Sequence, residues 1–399
     1  MDKMSRRLIY RFIAISLLVC VNYLFMFYIV GAAYTTINVK NEGMSANPNV
    51  TNNNALQKII DTHRREPVII YVPKGDYAFS KGVIVLHSNI TFKFASGAVF
   101  TINNGQLVSF SYPSVKAGYD GGIGNISWVN ATFRGTDVNG QSGFVQSMNH
   151  AQNISFDRCV FYNSEYSDGH DLDIDGSHNI RITNSSFFGF NANPSSDYKE
   201  AIQIDYSNKR AMSYILQDDK YDNLPSYDIY VSNNRFLPIV RQGKIKYYAP
   251  NPIGQHMIYN NGKNGIIHDI YFVNNLVSDP KPRQQAQTGI VNFEGVSNIF
   301  IFNNYFRNEY VAGPATYVRI HNPLPRNQMS GVYIEKNIFF DVNPTKQYIL
   351  VQAFWKNNYF KNVFIENNEV VTNDMTKFIT KNDEMVIQKE NHVLDILAR

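Results

Sequence analysis

A chain of 399 residues with 44% hydrophobic content is long enough to build a large core, in one big domain or two ordinary ones, which excludes a disordered tail. Its formal charge is +4 at pH 7, and Lys3, Arg6, Arg7 and Arg11, less Asp2, supply most of it. The remainder is close to neutral, so nothing global argues for a nucleic-acid partner. The two cysteines, Cys20 in an apolar run and Cys159 in a strand-like segment, are too few for a disulfide framework or a zinc site, and Cys159 reads as a core thiol.

From Phe12 to Ala33 the chain is almost wholly apolar and is preceded by basic residues. That run is long enough to cross a bilayer as one helix, with the basic end on the cytoplasmic side and everything after it outside. Residues 1–33 are therefore expected to be a single-pass membrane anchor, with the cell membrane as the location. Secretion after signal cleavage near Gly31-Ala32-Ala33 is the alternative. Residues 34–50, polar and rich in Asn, read as a short linker, and residues 51–399 as the folded domain.

The domain opens on a start signal. Asn52 to Asn54 offer caps to an amphipathic helix bearing Leu56, Ile59 and Ile60, and Val68 to Val72 reads as a buried strand closed by Pro73-Lys74-Gly75. A helix laid across the first coil of a solenoid would hide its open edge. The run from Asn54 to Asp61, Val68 to Tyr77, Ser88 to Phe92 and Ala95 to Ala98 resembles the opening of the pectate-lyase-superfamily (pectin-lyase-like) β-helix proteins. That resemblance implies an extracellular polysaccharide-degrading enzyme or a phage tailspike.

A short unit then recurs: Asn, apolar, any, apolar, any, Asn. It is seen at Asn125-Ile126, Asn153-Ile154, Asn179-Ile180, Asp228-Ile229, Asp269-Ile270, Asn298-Ile299, Val332-Tyr333 and Asn362-Val363. Each copy is too short to bury its own apolar face, so the copies must stack. The fold class expected is all-β: a right-handed, single-stranded parallel β-helix with an N-terminal capping helix, preceded by one transmembrane helix. The asparagines suit the bends, because they tolerate left-handed backbone and can hydrogen-bond their counterparts one coil away.

The chemistry is concentrated between Ser167 and Ser207. Leu172 and Ile174 alternate with Asp171, Asp173 and Asp175, the pattern of a strand with one dry and one wet face. About thirty residues later Ile202 and Ile204 alternate with Gln203 and Asp205, one repeat further on. Stacking in register sets Asp175 beside Asp205 and Asp173 beside Gln203. Aligning Ile253 with Ile202 then puts His256 next to Asp205. The longest inserts follow directly and carry Lys209, Arg210, Arg241, Lys244 and Lys246 with Tyr214, Tyr221, Tyr227, Tyr247 and Tyr248. Such inserts would wall an exposed groove and suit an acidic polysaccharide.

In order, Asp173-Ile174-Asp175-Gly176, Lys199-Glu200, Gly254-Gln255-His256 and Arg319-Ile320-His321 are similar to the motifs of polygalacturonase-type hydrolases, although the letters differ at several places. The resemblance implies glycoside hydrolysis with Asp173, Asp175, Asp205, Glu200 and His256 as the catalytic group. Lys199, Gln203, Arg235, Arg319 and His321 would bind substrate, Arg319 gripping a carboxylate. Inverting glycosidases hold their two carboxyls roughly 6.5 to 9.5 Å apart, and a diagonal Asp173–Asp205 pair on neighbouring coils comes out at about 8 Å. No metal or other cofactor is needed for that reaction, and the spacing of the remaining histidines shows no ligand set. The alternative is a polysaccharide lyase, in which Asp171, Asp173, Asp175 and Asp205 hold Ca²⁺ for β-elimination. A third reading is a non-catalytic polysaccharide-binding or assembly protein. The partners expected are a polysaccharide and, through the N-terminal helix, a membrane; the domain would be a monomer or a trimer.

Overall fold

In the computed structural model, the described residues are 34–102, 106–137, 142–166, 169–189, 200–281, 288–309, 313–324, 329–353, 361–371, 375–381 and 386–394. They form parallel coils stacked one on the next, each coil adding a strand to each of three long sheets of twelve, eleven and ten strands. This is the parallel β-helix expected. Thr36–Arg399 makes one compact unit. The anchor expected over residues 12–33 lies outside the described residues, and among those described no helix is long and apolar enough to cross a membrane.

The repeat dictates the stack. Ile126, Ile154, Ile180, Ile229, Ile270, Ile299, Val332 and Val363 occupy one column of the twelve-stranded sheet and are essentially without solvent exposure. Because neighbouring strands lie about 4.8 Å apart, like side chains at like positions come into stacking contact. Phe161, Phe187 and Phe236 follow this rule with ring centroids 4.7 and 4.8 Å apart. Polar groups inside are satisfied in series: Trp128 Nε1 donates to the Tyr112 hydroxyl at 2.9 Å, which donates to Gln146 Oε1 at 2.9 Å.

Asparagines mark the bends in two ways. Asn125, Asn153 and Asn179 take positive φ of 54–60° and link side chain to side chain along the outside. A second row is buried: Asn234, Asn275, Asn304, Asn337 and Asn368. There each amide donates to a main-chain carbonyl of the preceding coil and to the next asparagine, as Asn304 Nδ2 does to Phe272 O (2.8 Å) and Asn337 Oδ1 (2.9 Å).

Helix α1 (Asn53–Thr62) buries Leu56, Ile59 and Ile60, as its periodicity predicts. Its Gln57 amide both donates to Val85 O (3.1 Å) and accepts from Val85 N (2.8 Å), occupying the backbone edge of the first coil.

The ten-stranded sheet carries the acidic residues. Its strands in chain order are β1 (Gly82–Val85), β2 (Leu107–Tyr112), β3 (Gly143–Asn149), β4 (Leu172–Asp175), β5 (Glu200–Asp205), β6 (Asn251–Gly254), β7 (Gly289–Glu294), β8 (Thr316–Asn322), β9 (Gln347–Ala353) and β10 (Ile379–Lys381).

Candidate active site

Strand β4 pairs with β5 so that Asp173 stands opposite Gln203 and Asp175 opposite Asp205. The register between β5 and β6, Ile202 with Ile253, is also the one the sequence predicts. The apolar partners Leu172, Ile174, Ile202 and Ile204 point into the core, which forces the acidic residues onto one outer wall.

That wall is not an open groove. Asp173, Asp175 and Asp205 are each 0% exposed. The insert after β5, residues 207–226, folds back over the wall as a strap instead of standing beside it. Ser213 N donates to Asp173 Oδ2, Gln203 Nε2 to Ala211 O at 3.1 Å, Ser147 Oγ to Tyr214 O at 3.1 Å and Asn149 Nδ2 to Lys220 O at 2.9 Å. The far end of the strap is pinned to earlier coils, with Ser114 N on Asp219 Oδ1 (2.9 Å), Gly118 N on Asp222 Oδ2 (2.7 Å) and His150 Nε2 on Asp222 Oδ1 (2.9 Å). The period-two pattern shows a polar face; only these long-range contacts show that it is covered.

Burial decides the protonation of the covered carboxyls. Asp205 is pushed up to about 8 by loss of solvent, and the charges of Asp173 and Glu200 add to this, while His256 and the Tyr206 main-chain N–H oppose it. Asp175 is raised well above the carboxylate range by burial and by the charges of Asp173 and Asp205, and a hydrogen bond to Asp173 adds to this. Asp173 shifts in the same direction, again through burial. Near neutral pH this wall therefore holds protons.

His256 departs from expectation. Strand β6 ends at Gly254, and His256 turns to Glu200, with Nε2 and Oε2 2.9 Å apart, instead of lying along Asp205. Burial disfavours its charged form, but the charge and hydrogen bond of Glu200, with help from Asp205 and Asp173, outweigh that and raise it to about 9. Glu200 reaches this position because residue 254 has no side chain: a Cβ there would lie 2.5 Å from Glu200 Oε1. Glu200 is 1% exposed, whereas the His256 side chain is 37% exposed and opens the site to solvent. His170, absent from the expected set, donates through Nδ1 to the Glu200 carbonyl and packs its ring 5.3 Å from that of His256. A ring nitrogen of each histidine and a carboxylate oxygen of Glu200 all lie within 4.8 Å of one another.

The expected substrate-binding residues are dispersed. Gln203 is buried and donates to Asp205 Oδ2 at 3.4 Å. Arg319 is not presented to a ligand: it is 3% exposed, and its Nη1 donates to Asn292 Oδ1 (3.1 Å) and Glu294 Oε1 (3.0 Å). Its Nη2 lies 2.9 Å from His321 Nδ1, so His321 too is engaged within this cluster. Burial raises the Glu294 carboxyl, but hydrogen bonds from His321 and Arg319 win and hold it below its ordinary value. Arg235 stands on the eleven-stranded sheet, opposite Ser186 and Leu276, and is exposed there. Lys199 lies outside the described residues. Of the insert cations, Lys246 is paired with Asp137 at 2.6 Å, while Lys209 and Arg210 are exposed at the start of the strap. Asp171, the fourth member of the Ca²⁺ set, accepts from Ser164 Oγ at 2.6 Å.

Residues 36–203 match the family model "Rhamnogalacturonase A/epimerase, pectate lyase-like". Among solved structures, PfbA, a surface adhesin of Streptococcus pneumoniae, superposes with a TM-score of 0.61 at 16% identity, over 90% of this chain and 91% of that one. The tailspike of E. coli bacteriophage HK620, solved in complex with a pentasaccharide, gives a TM-score of 0.55 at 11% identity, over 90% of this chain and 63% of the tailspike. ORF18 of Geobacillus virus E2 gives 0.50 at 12% identity, over 90% and 62%. No curated protein matches the sequence. Sheet topology and structural likeness agree that this chain is a parallel β-helix, and its residues 36–203 are similar to the pectate-lyase-like family.

Proposed function

We propose that the chain is an extracytoplasmic polysaccharide-degrading enzyme, a glycoside hydrolase working on an acidic polysaccharide at the outer wall of β4, β5 and β6. The observation that carries this reading is a fully buried carboxyl, Asp205, whose burial favours its protonated form, on the same wall as Glu200, which His256 Nε2 contacts at 2.9 Å. Glycosidic cleavage needs one carboxylic acid to protonate the leaving oxygen and one carboxylate to activate water. Asp205 supplies the acid and Glu200 the base, while burial, with the charges of Asp173 and Glu200, keeps Asp205 protonated. Sugar enters from the exposed side of His256, and the strap shifts to uncover Asp205. Lys209 and Arg210, exposed at the start of the strap, would pair with the charges of an acidic chain. The apolar leader and the surface and tailspike relatives of this fold support a location outside the membrane, anchored by residues 12–33.

The test is to incubate the full chain with a panel of bacterial and plant polysaccharides, following new reducing ends and the ultraviolet absorbance of new carbon–carbon double bonds, with and without chelator. Reducing ends without absorbance are expected, and Asp205→Asn and Glu200→Gln should each lower the rate by about 10²–10⁴-fold. Absorbance lost with chelator would mean elimination. Binding without any cleavage would mean a non-catalytic polysaccharide-binding protein, a reading that the covered state of Asp173, Asp175 and Asp205 favours.

A further inference from the structure

We propose that His170, Glu200 and His256 form a binding site for a divalent transition-metal ion. Their donor atoms lie within 4.8 Å of one another, and they come from three separate places in the chain: the turn before β4, the start of β5 and the turn after β6. Two imidazoles and one carboxylate suit zinc and its first-row neighbours; calcium prefers oxygen ligands alone. The three-residue set leaves further coordination positions open on the exposed side of His256, the arrangement of sites that accept water or a ligand.

Two features prepare the site before any ion arrives. His170 Nδ1 donates to the Glu200 main-chain carbonyl, which holds the ring beside Glu200, with its centroid 5.3 Å from that of His256. Glu200 Oε1 is buried and has no hydrogen-bond partner among the described residues, and the absent side chain of Gly254 makes the room it occupies. A buried carboxylate oxygen with nothing to accept from is costly, and a cation beside it removes that cost. Spacing in the sequence does not reveal this set, because its members meet only after the coils are stacked.

The inference goes beyond hydrolysis and is tested without any polysaccharide, so the two can fail separately. The full chain, stripped with chelator, is titrated with Zn²⁺ by calorimetry, and in parallel with Co²⁺ while visible absorption is followed. The wild type is expected to show a site that His256→Gln, Glu200→Gln and His170→Gln each weaken by about 10-fold to 100-fold or more. The cobalt absorption should fall with it, whereas His268→Gln, at an exposed surface pair, leaves both unchanged. Thermal melts of each variant establish that it is folded; if His170→Gln fails to fold, His256→Gln, at a half-exposed position, decides. Equal Zn²⁺ affinity in the wild type and His256→Gln, or no binding by the wild type, would overturn the proposal.

Discussion

Glu200 and His256 sit on successive coils and meet through their side chains, Oε2 to Nε2 at 2.9 Å, across the position of Gly254. The carboxylate belongs to the first residue of its strand, where the chain is entering the sheet, and it swings over the outer face because residue 254 presents only a hydrogen there. An acidic residue that would otherwise be lost at a strand end thereby joins the same wall as Asp173, Asp175 and Asp205.

Substituting Gly254→Ala tests this packing. The added methyl would lie 2.5 Å from Glu200 Oε1 and 2.7 Å from Asn292 O, so either the carboxylate or the neighbouring strand must move. Overfilling of this kind costs about 1–3 kcal/mol. The expected result is a lower denaturation midpoint together with loss of the raised His256 titration, read by NMR of the imidazole protons. An unaltered His256 titration would show that the pair does not depend on the gap.

Stability should fall as pH rises. Asp205, Asp175 and Asp173 all have folded-state values above those of an unfolded chain. Their contribution is therefore full below the ordinary carboxylate range and is lost as pH climbs through the folded values, to about 8 for Asp205. Each pKa unit corresponds to about 1.4 kcal/mol, so a loss of a few kcal/mol is expected between mildly acidic and mildly alkaline pH. His256, raised to about 9 by Glu200 against burial, acts in the same direction at the upper end. Urea midpoints at pH 5 and pH 9 measure it: the wild type should lose more than Asp205→Asn, and equal losses would contradict the assignment.

Asp222 holds the strap down. Its carboxylate accepts from Gly118 N, Leu224 N and His150 Nε2; burial raises it, but these bonds prevail and keep it below its ordinary value. Asp222→Ala leaves those donors unsatisfied, at about 1–3 kcal/mol for a buried group. The strap should then open more often, and limited trypsin cleavage after Lys209, Arg210 or Lys220 should quicken by about 10-fold or more, since 1.4 kcal/mol is a factor of ten. Cleavage at the wild-type rate would mean that the strap is held elsewhere.

What sequence could and could not reveal divides along the range of the interactions. The pairing of Asp175 with Asp205 and of Ile202 with Ile253 follows from local alternation repeated coil by coil, which sequence displays directly. The engagement of Arg319 with Asn292 and Glu294, against the grip on a substrate carboxylate that the motif order implies, was not legible, because it depends on which side chains of the neighbouring coil fold back onto it. The strap was not legible, because its position depends on contacts such as Ser114 with Asp219, more than a hundred residues apart. Nor was the turn of His256 toward Glu200, which depends on the strand ending at Gly254 and on the space that glycine leaves.

The buried asparagine row gives the solenoid a direction and a unit of length. Each amide leans on its successor, from Asn234 through Asn275, Asn304 and Asn337 to Asn368, so the row behaves like a zipper whose teeth all point the same way. Removing one tooth strands its neighbours, whereas excising or duplicating an entire turn with its asparagine lets the zipper close again. The solenoid can thus be lengthened or shortened in steps of one turn, about 4.8 Å at a time, with both ends left as they are.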